Sequence, residues 1–376
     1  MRKWRPPFDK RISFSLPCLL GVCCCSTLAT TACSQRETVA GEPMAEPAIR
    51  WNPELYVAHR PENPITIDGA LLELDWSNAV WTAHFVDIEG AARPEPRFRT
   101  RAKMLWDDVH FYVAAELEEP DVWATLTERD AVIYHDNDFE VFIDPDGDTH
   151  EYYELEINAF DTEWDLLLVR PYRDGGPAID SWDIKGLKTG VLVDGTVNDP
   201  SDRDRGWTVE IAIPWAVLQE ATQRSAPPGD GDQWRVNFSR VEWRTEVRNG
   251  QYAKLLDHPS GRNRPEDNWV WSPQGLIDMH YPEMWGIVQF SDSVAGRPTD
   301  AASIPVTERA KWELRRVYYR QQSWFARHRS YTDNFDNLRL QSGFWEIELE
   351  ATGNLFEASL NLGGRRIRIQ QDGRVW

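Results

Sequence analysis

Apolar and polar residues alternate along a series of short runs in this 376-residue chain, and no other feature narrows its fold as much. From Phe98 to Met104, apolar and small residues take turns with Arg99, Arg101 and Lys103. Phe111, Val113, Ala115 and Leu117 fall on one face of the next run. Phe139–Ile143 is a third. In Tyr152–Ala159, Tyr153, Leu155, Ile157 and Ala159 face one way, while Tyr152, Glu154, Glu156 and Asn158 face the other. Trp207, Val209, Ile211 and Ile213 repeat the pattern, as do Trp234, Val236 and Phe238. Side chains alternate across a strand, so each run offers one apolar face that must be covered. Turn-forming groups separate the runs, notably Trp106-Asp107-Asp108-Val109 and Asp144-Pro145-Asp146-Gly147-Asp148. Many short one-faced strands predict an all-β fold over residues 50–291. The expected form is a two-sheet antiparallel β-sandwich, jelly-roll-like in its connections.

The ends of the chain read differently. Arg2, Lys3, Arg5, Lys10 and Arg11 precede an apolar stretch from Ile12 to Ala29, and small residues lead to Cys33. That order predicts a signal peptide over 1–32, too short and wrongly flanked to be a membrane span. Thr30-Thr31-Ala32-Cys33 resembles the lipobox of bacterial lipoproteins, which implies acylation of Cys33 and a lipid anchor. All five Cys lie at or before position 33, so the rest of the chain has neither a disulfide framework nor a thiolate metal site. Residues 33–49 are polar with Pro and Gly, as in a tether. The expectation is an exported lipoprotein of the outer membrane, facing the periplasm or the cell surface. A linker is expected over 292–306. Residues 307–376 then read as a helix capped by Thr307, followed by short strands that include Ile367 and Ile369. The formal charge of −20 sits with 61 acidic and 41 basic residues. So acidic a chain repels nucleic acid, and no basic patch offsets that.

Four segments, in order, resemble family 9 carbohydrate-binding modules. Ile67-Asp68-Gly69 with Asp75-Trp76 is similar to the family's opening segment. Lys103-Met104-Leu105-Trp106-Asp107 with Phe111-Tyr112-Val113 is similar to its first core hairpin. Asn137-Asp138-Phe139-Glu140-Val141-Phe142-Ile143-Asp144 resembles its most specific strand, and Gly206-Trp207-Thr208-Val209-Glu210 through Ala212-Ile213-Pro214-Trp215 resembles the next landmark. The resemblance implies a β-sandwich that binds the ends of oligo- or polysaccharides without catalysis, often with structural calcium. It also implies where to look for the site. A stacking aromatic six residues before the strand glutamate is Tyr134, and the glutamate is Glu140. Asn137 shares that segment. Where the family carries an Arg, this chain has Glu156, with Asn158 nearby. A second aromatic is expected from Trp271 or from the loop holding His280 and Tyr281.

Sugars expose apolar C–H faces and a rim of hydroxyls, so an aromatic platform beside fixed carboxylates suits them. Each candidate also has a structural reading, because sandwiches bury many of their Trp and Glu140 alternates with core residues. Asp144, Asp146 and Asp148 have calcium-loop spacing, but Leu155 stands where an EF-hand needs its bidentate Glu, so a solvated turn is the other reading. Three further functions stay open. One is a glycoside hydrolase, though the abundance of carboxylates makes any pair uninformative and no nucleophile elbow, HExxH or P-loop is present. Another is a haem-binding sandwich using Met104, Met279 or His280. The last is a structural envelope lipoprotein with no sugar ligand.

Overall fold

The computed structural model describes residues 43–376 apart from 223, 341 and 342; the expected signal peptide, Cys33 and most of the tether lie outside them. The strands are β1 (Leu55–Arg60), β2 (Val86–Asp87), β3 (Thr100–Trp106), β4 (His110–Glu118), β5 (Asp138–Asp144), β6 (Tyr152–Asn158), β7 (Glu163–Leu168), β8 (Ala178–Ile179) and β9 (Lys188–Asp194). There follow β10 (Gly206–Pro214), β11 (Gln233–Glu242), β12 (Thr245–Arg248), β13 (Gln251–Lys254), β14 (Asp267–Val270) and β15 (Gly286–Val294). β16 (Glu348–Ala351), β17 (Phe356–Leu362) and β18 (Arg365–Gln370) come after a helix over Val306–His328. No described helix is long and apolar enough to cross a membrane.

One sheet runs β8-β7-β6-β5-β11-β15-β1 and the other β1-β3-β4-β10-β9. Between them lies a continuous core. Phe139, Val141 and Ile143 of β5 and Tyr153, Leu155 and Ile157 of β6 meet Val113, Ala115 and Leu117 of β4 and Val209, Ile211 and Ile213 of β10. Phe85, Phe139 and Phe238 stack within it, and Trp215 meets Trp234 edge-on. This is the expected sandwich with one correction. β1 pairs in parallel with both β15 and β3, so the sheets are mixed rather than purely antiparallel. Period-two patterning reports which face is buried and carries no information on strand direction. β1 passes from one sheet to the other, and Trp106 pins that crossing by donating Nε1–H to the carbonyls of Ala58 (3.1 Å) and Ser291 (3.0 Å).

The matched motifs hold the fold together. The Glu210 carboxylate accepts the backbone N–H groups of Asp68 (2.9 Å) and Gly69 (2.7 Å) and the Trp76 indole N–H (2.6 Å). Gly69 is in the left-handed region, and a Cβ there would meet Leu192 N at 2.7 Å, so only glycine fits. Two of the four motifs therefore recognise one another.

The Val306–His328 helix buries Ala310, Leu314, Val317, Tyr318 and Tyr319 against Phe356, Ala358, Leu360, Ile367 and Ile369 of the β16-β17-β18 sheet. Thr307 is not its cap: the helix starts one residue earlier, after Pro305, whose fixed φ suits a helix entry without a side-chain cap. This segment also grips the sandwich. Arg235 donates to Glu308 through Nε (3.0 Å) and Nη2 (2.6 Å), Arg315 donates to Thr149 Oγ1 (2.9 Å), and Trp51 stacks on Trp312 at 5.5 Å.

Candidate functional site

The outward faces of β5, β6 and β7 form one surface. Glu140 is opposite Glu156, and Glu156 is opposite Trp164; Phe142, Glu154 and Leu166 form the next row, and Asp138 faces Asn158. Directly opposed residues of an antiparallel pair lie side by side on the same face. Pattern alone makes this the polar face, yet every residue of β5 and β6 is buried. The cover is local. Phe142, Tyr152, Leu166, Leu168 and Trp285 make a small second core, with Trp164 and Met279 packed on it. Tyr134, on a short 3-10 turn over Ile133–His135, overhangs from one side and is 38 % exposed. Its backbone N–H donates to Glu156 (2.8 Å), its carbonyl accepts the Trp243 indole N–H (2.9 Å), and its ring lies 6.4 Å from that of Trp164. Tyr172, from the turn after β7, is 51 % exposed and sits edge-on to His280 at 4.5 Å. His280 is fixed by the Tyr152 hydroxyl, 2.8 Å from its Nδ1.

The acidic groups of this face and its two exposed tyrosines interact electrostatically. Burial pushes Glu140 up to about 7. Burial and then the charge of Glu140 push Glu154 and Glu156 well above the usual carboxylate range, and Asp138 rises for the same two reasons. Tyr134 is raised by burial and then by Glu156, Glu266, Glu154 and Glu140. Tyr172 is raised by burial and then by Glu154, Asp180 and Glu156. Both tyrosines thus sit within the field of the same carboxylates. His280 is pushed down to about 3 by burial and by Arg173, which keeps it neutral. The result is two exposed tyrosine rings beside buried carboxyl groups, able to stack on an apolar face and to form hydrogen bonds.

Residues 67–228 match a family model described as carbohydrate family 9 binding domain-like. This stretch is family 9-like. Among solved structures, a Bacteroides uniformis ATCC 8492 protein to which carbohydrate binding has been attributed is similar over 64 % of this chain and all of its own, at 16 % identity and TM-score 0.46. A family 9 module of Caldicellulosiruptor kristjanssonii, in complex with cellotriose, is 17 % identical over 67 % of this chain and 98 % of its own, with TM-score 0.42. The same organism's module with glucose is 16 % identical over 65 % and 98 %, with TM-score 0.40. No curated protein matches the chain.

Tyr134, Glu140 and Glu156, all inside the family 9-like stretch, come together, and His280, outside that stretch, stands behind Tyr172. The other four ligand candidates do not join them. Asn137 is consumed in the core: its amide donates to Glu119 (2.6 Å) and its carbonyl oxygen accepts Trp243 N–H (2.7 Å). Asn158 builds the β6–β7 turn, accepting from Phe160 and Thr162 and donating to Leu126 and Asp136. Trp271 is a core residue wedged against Gly286, Tyr56 and Phe238. Tyr281 is buried in the second large core beside Tyr319, with its hydroxyl on the Ala45 carbonyl. Consecutive residues of an extended loop point to opposite sides, so His280 and Tyr281 never shared a face. The Asp144, Asp146 and Asp148 oxygens do lie within 4.8 Å of one another. They are committed, however. Asp144 accepts from Gly147 and Thr149, Asp148 accepts from His150 and Arg374, and Lys311 caps the carbonyls of Asp146 and Gly147. That turn also anchors the C-terminal segment, through Lys311 and Arg374. Of the methionines considered as haem ligands, Met104 lies in the main core and Met279 on the outer cluster.

Trp164, Tyr172, Glu154 and Asp138 were missed by the sequence reading. Trp164 was within reach: counting back through the four-residue β6–β7 connection sets it opposite Glu156. Tyr172 carried no signal, since its turn meets the cleft only after β7 and β8 have paired.

Proposed function

We propose that the cleft between Tyr134 and Tyr172 binds the terminal residues of a glycan and performs no chemistry on it. The observation that carries this is the pair of exposed tyrosines, with Trp164 between β6 and the solvent, set over buried carboxylates. An aromatic ring left exposed beside ordered acceptors fits the two-sided chemistry of a sugar. The family 9-like match over 67–228 supports the same ligand class. In this reading the chain is exported, anchored in the outer membrane through acylated Cys33, and serves glycan capture in the periplasm or at the cell surface.

A glycan array followed by calorimetry on the best ligand tests the site. Tyr134→Ala is expected to weaken binding at least tenfold, about 1.4 kcal/mol at that bound, and to leave Tm nearly unchanged because the ring is largely outside the core. Wild-type affinity in that variant, or an array with no ligand, would remove the cleft from consideration.

A further inference from the structure

Three acidic clusters occur among the described residues, and only one of them lacks a protein cation. Asp165 is held by Arg129, which also reaches Asp183. Asp148 is held by Arg374, with Lys311 over the same turn. Asp138, Glu140 and Glu156 form no ion pair with any described residue. Lys254 lies on the Trp243 ring at 3.3 Å, where Asp136 and Glu266 act on it.

We propose that Asp138, Glu140 and Glu156 hold a calcium ion at the floor of the cleft. The donor set is hard oxygen only, which suits calcium or magnesium over softer metals. Calcium suits a site built from protein carboxylates, because it takes about six to eight oxygen ligands in flexible geometry, whereas magnesium demands near-ideal octahedral geometry and usually keeps several of its waters. Here three carboxylates each offer an oxygen, all within 4.8 Å of one another. A second observation points into the same spot. Asp138 is 0 % exposed; its Oδ1 accepts Val241 N–H (3.0 Å), and its Oδ2 has no partner among the described residues. Glu154, 6 % exposed and next along the same face, has neither a hydrogen bond nor an ion pair there. Buried carboxyl groups with no protein cation stay protonated unless a bound cation offsets their charge. Calcium supplies that charge, next to Tyr134, whose backbone N–H donates to Glu156, and Trp164, which stands opposite Glu156. On the glycan-binding reading above, two adjacent sugar hydroxyls complete the shell. That role replaces the guanidinium that the family resemblance expects where this chain has Glu156.

The test uses the full purified chain stripped with EDTA. Calorimetric titration with CaCl2 alone, with no sugar present, is expected to show a saturable site. Glu156→Gln and Glu140→Gln should each weaken it at least tenfold, while Asp146→Asn at the other cluster leaves it unchanged. The array ligand should then bind at least tenfold more weakly in EDTA than in CaCl2. Absence of a calcium site, or loss of calcium in Asp146→Asn with retention in Glu156→Gln, overturns the proposal. So does tight binding of a cationic amino sugar that is indifferent to calcium. A calcium site that survives when no sugar binds supports the metal centre and counts only against the glycan reading.

Discussion

Glu140 shows how one burial changes a residue's behaviour. In the unfolded chain it ionises near the ordinary 4.5, while in the fold it holds its proton up to about 7. Between those values the folded state binds more protons than the unfolded state, so stability falls as pH rises through the window. In EDTA, the unfolding free energy obtained from urea titrations is expected to drop between pH 5 and pH 7.5 by an amount on the order of 2 kcal/mol. Glu140→Gln should reduce that slope, the remainder coming from Asp138, Glu154 and Glu156, which burial also raises. Glu283 and Glu308 do not confuse the reading. Although burial raises them, Arg173 and Arg315 hold the first and Lys311 and Arg235 the second down at about 2. Their contribution is present above the ordinary value of 4.5 and is lost only as pH falls toward 2. A slope unchanged in Glu140→Gln would show that other groups set the pH response.

At the scale of elements, the contact between the Val306–His328 helix and β11 is electrostatic at its first turn. Arg235 holds Glu308 with two bonds, and its third nitrogen donates to the Trp285 carbonyl at 2.7 Å. Both partners are mostly buried. Removing one charge from such a pair strands the other, typically at about 3–5 kcal/mol. Glu308→Gln should therefore lower stability in denaturant by about 3 kcal/mol while leaving sugar binding intact, since the cleft lies on other strands. An unaltered midpoint would mean the stacking of Trp51 on Trp312 and the apolar helix face carry the contact alone. The same helix illustrates what periodicity could and could not supply. Ala310, Leu314, Val317 and Gln321 recur at helical spacing, which marks them as one face, and all four are buried. Spacing does not mark Arg315 and Tyr318, because they are buried against Thr149 and Asp174 on parts of the chain distant in sequence.

For the whole molecule, residues 40–376 cluster as one compact unit, so the helix and its three-stranded sheet extend the sandwich's own surface. The remaining question at this scale is where the unit is held. Acylation of Cys33 would place it on a membrane without a spanning helix, since each buried methylene contributes roughly 0.8 kcal/mol and two or more chains anchor stably. Metabolic labelling with a fatty-acid analogue should tag the wild-type chain and leave Cys33→Ala unlabelled. Equal labelling of both would place the modification elsewhere or remove it.

The residues themselves determined the sandwich. Phe139, Val141 and Ile143 alternate in a way that only a strand with one buried face satisfies, and the glycine at 69 and glutamate at 210 belong to motifs whose partners are each other. The position of Tyr134 six residues before Glu140 was legible too, because both lie on one local segment. Alternation names a face and stops there. It could not say that the outward face of β5 and β6 would be closed over by Tyr134, Trp164 and Tyr172, turning Glu140, Glu154 and Glu156 from solvated acids into a buried floor. Nor could it separate His280, which supports the cleft, from Tyr281, one residue on, which fills a different core. Those outcomes depend on which distant segments cover each face, and burial of that kind is a property of the packed chain alone.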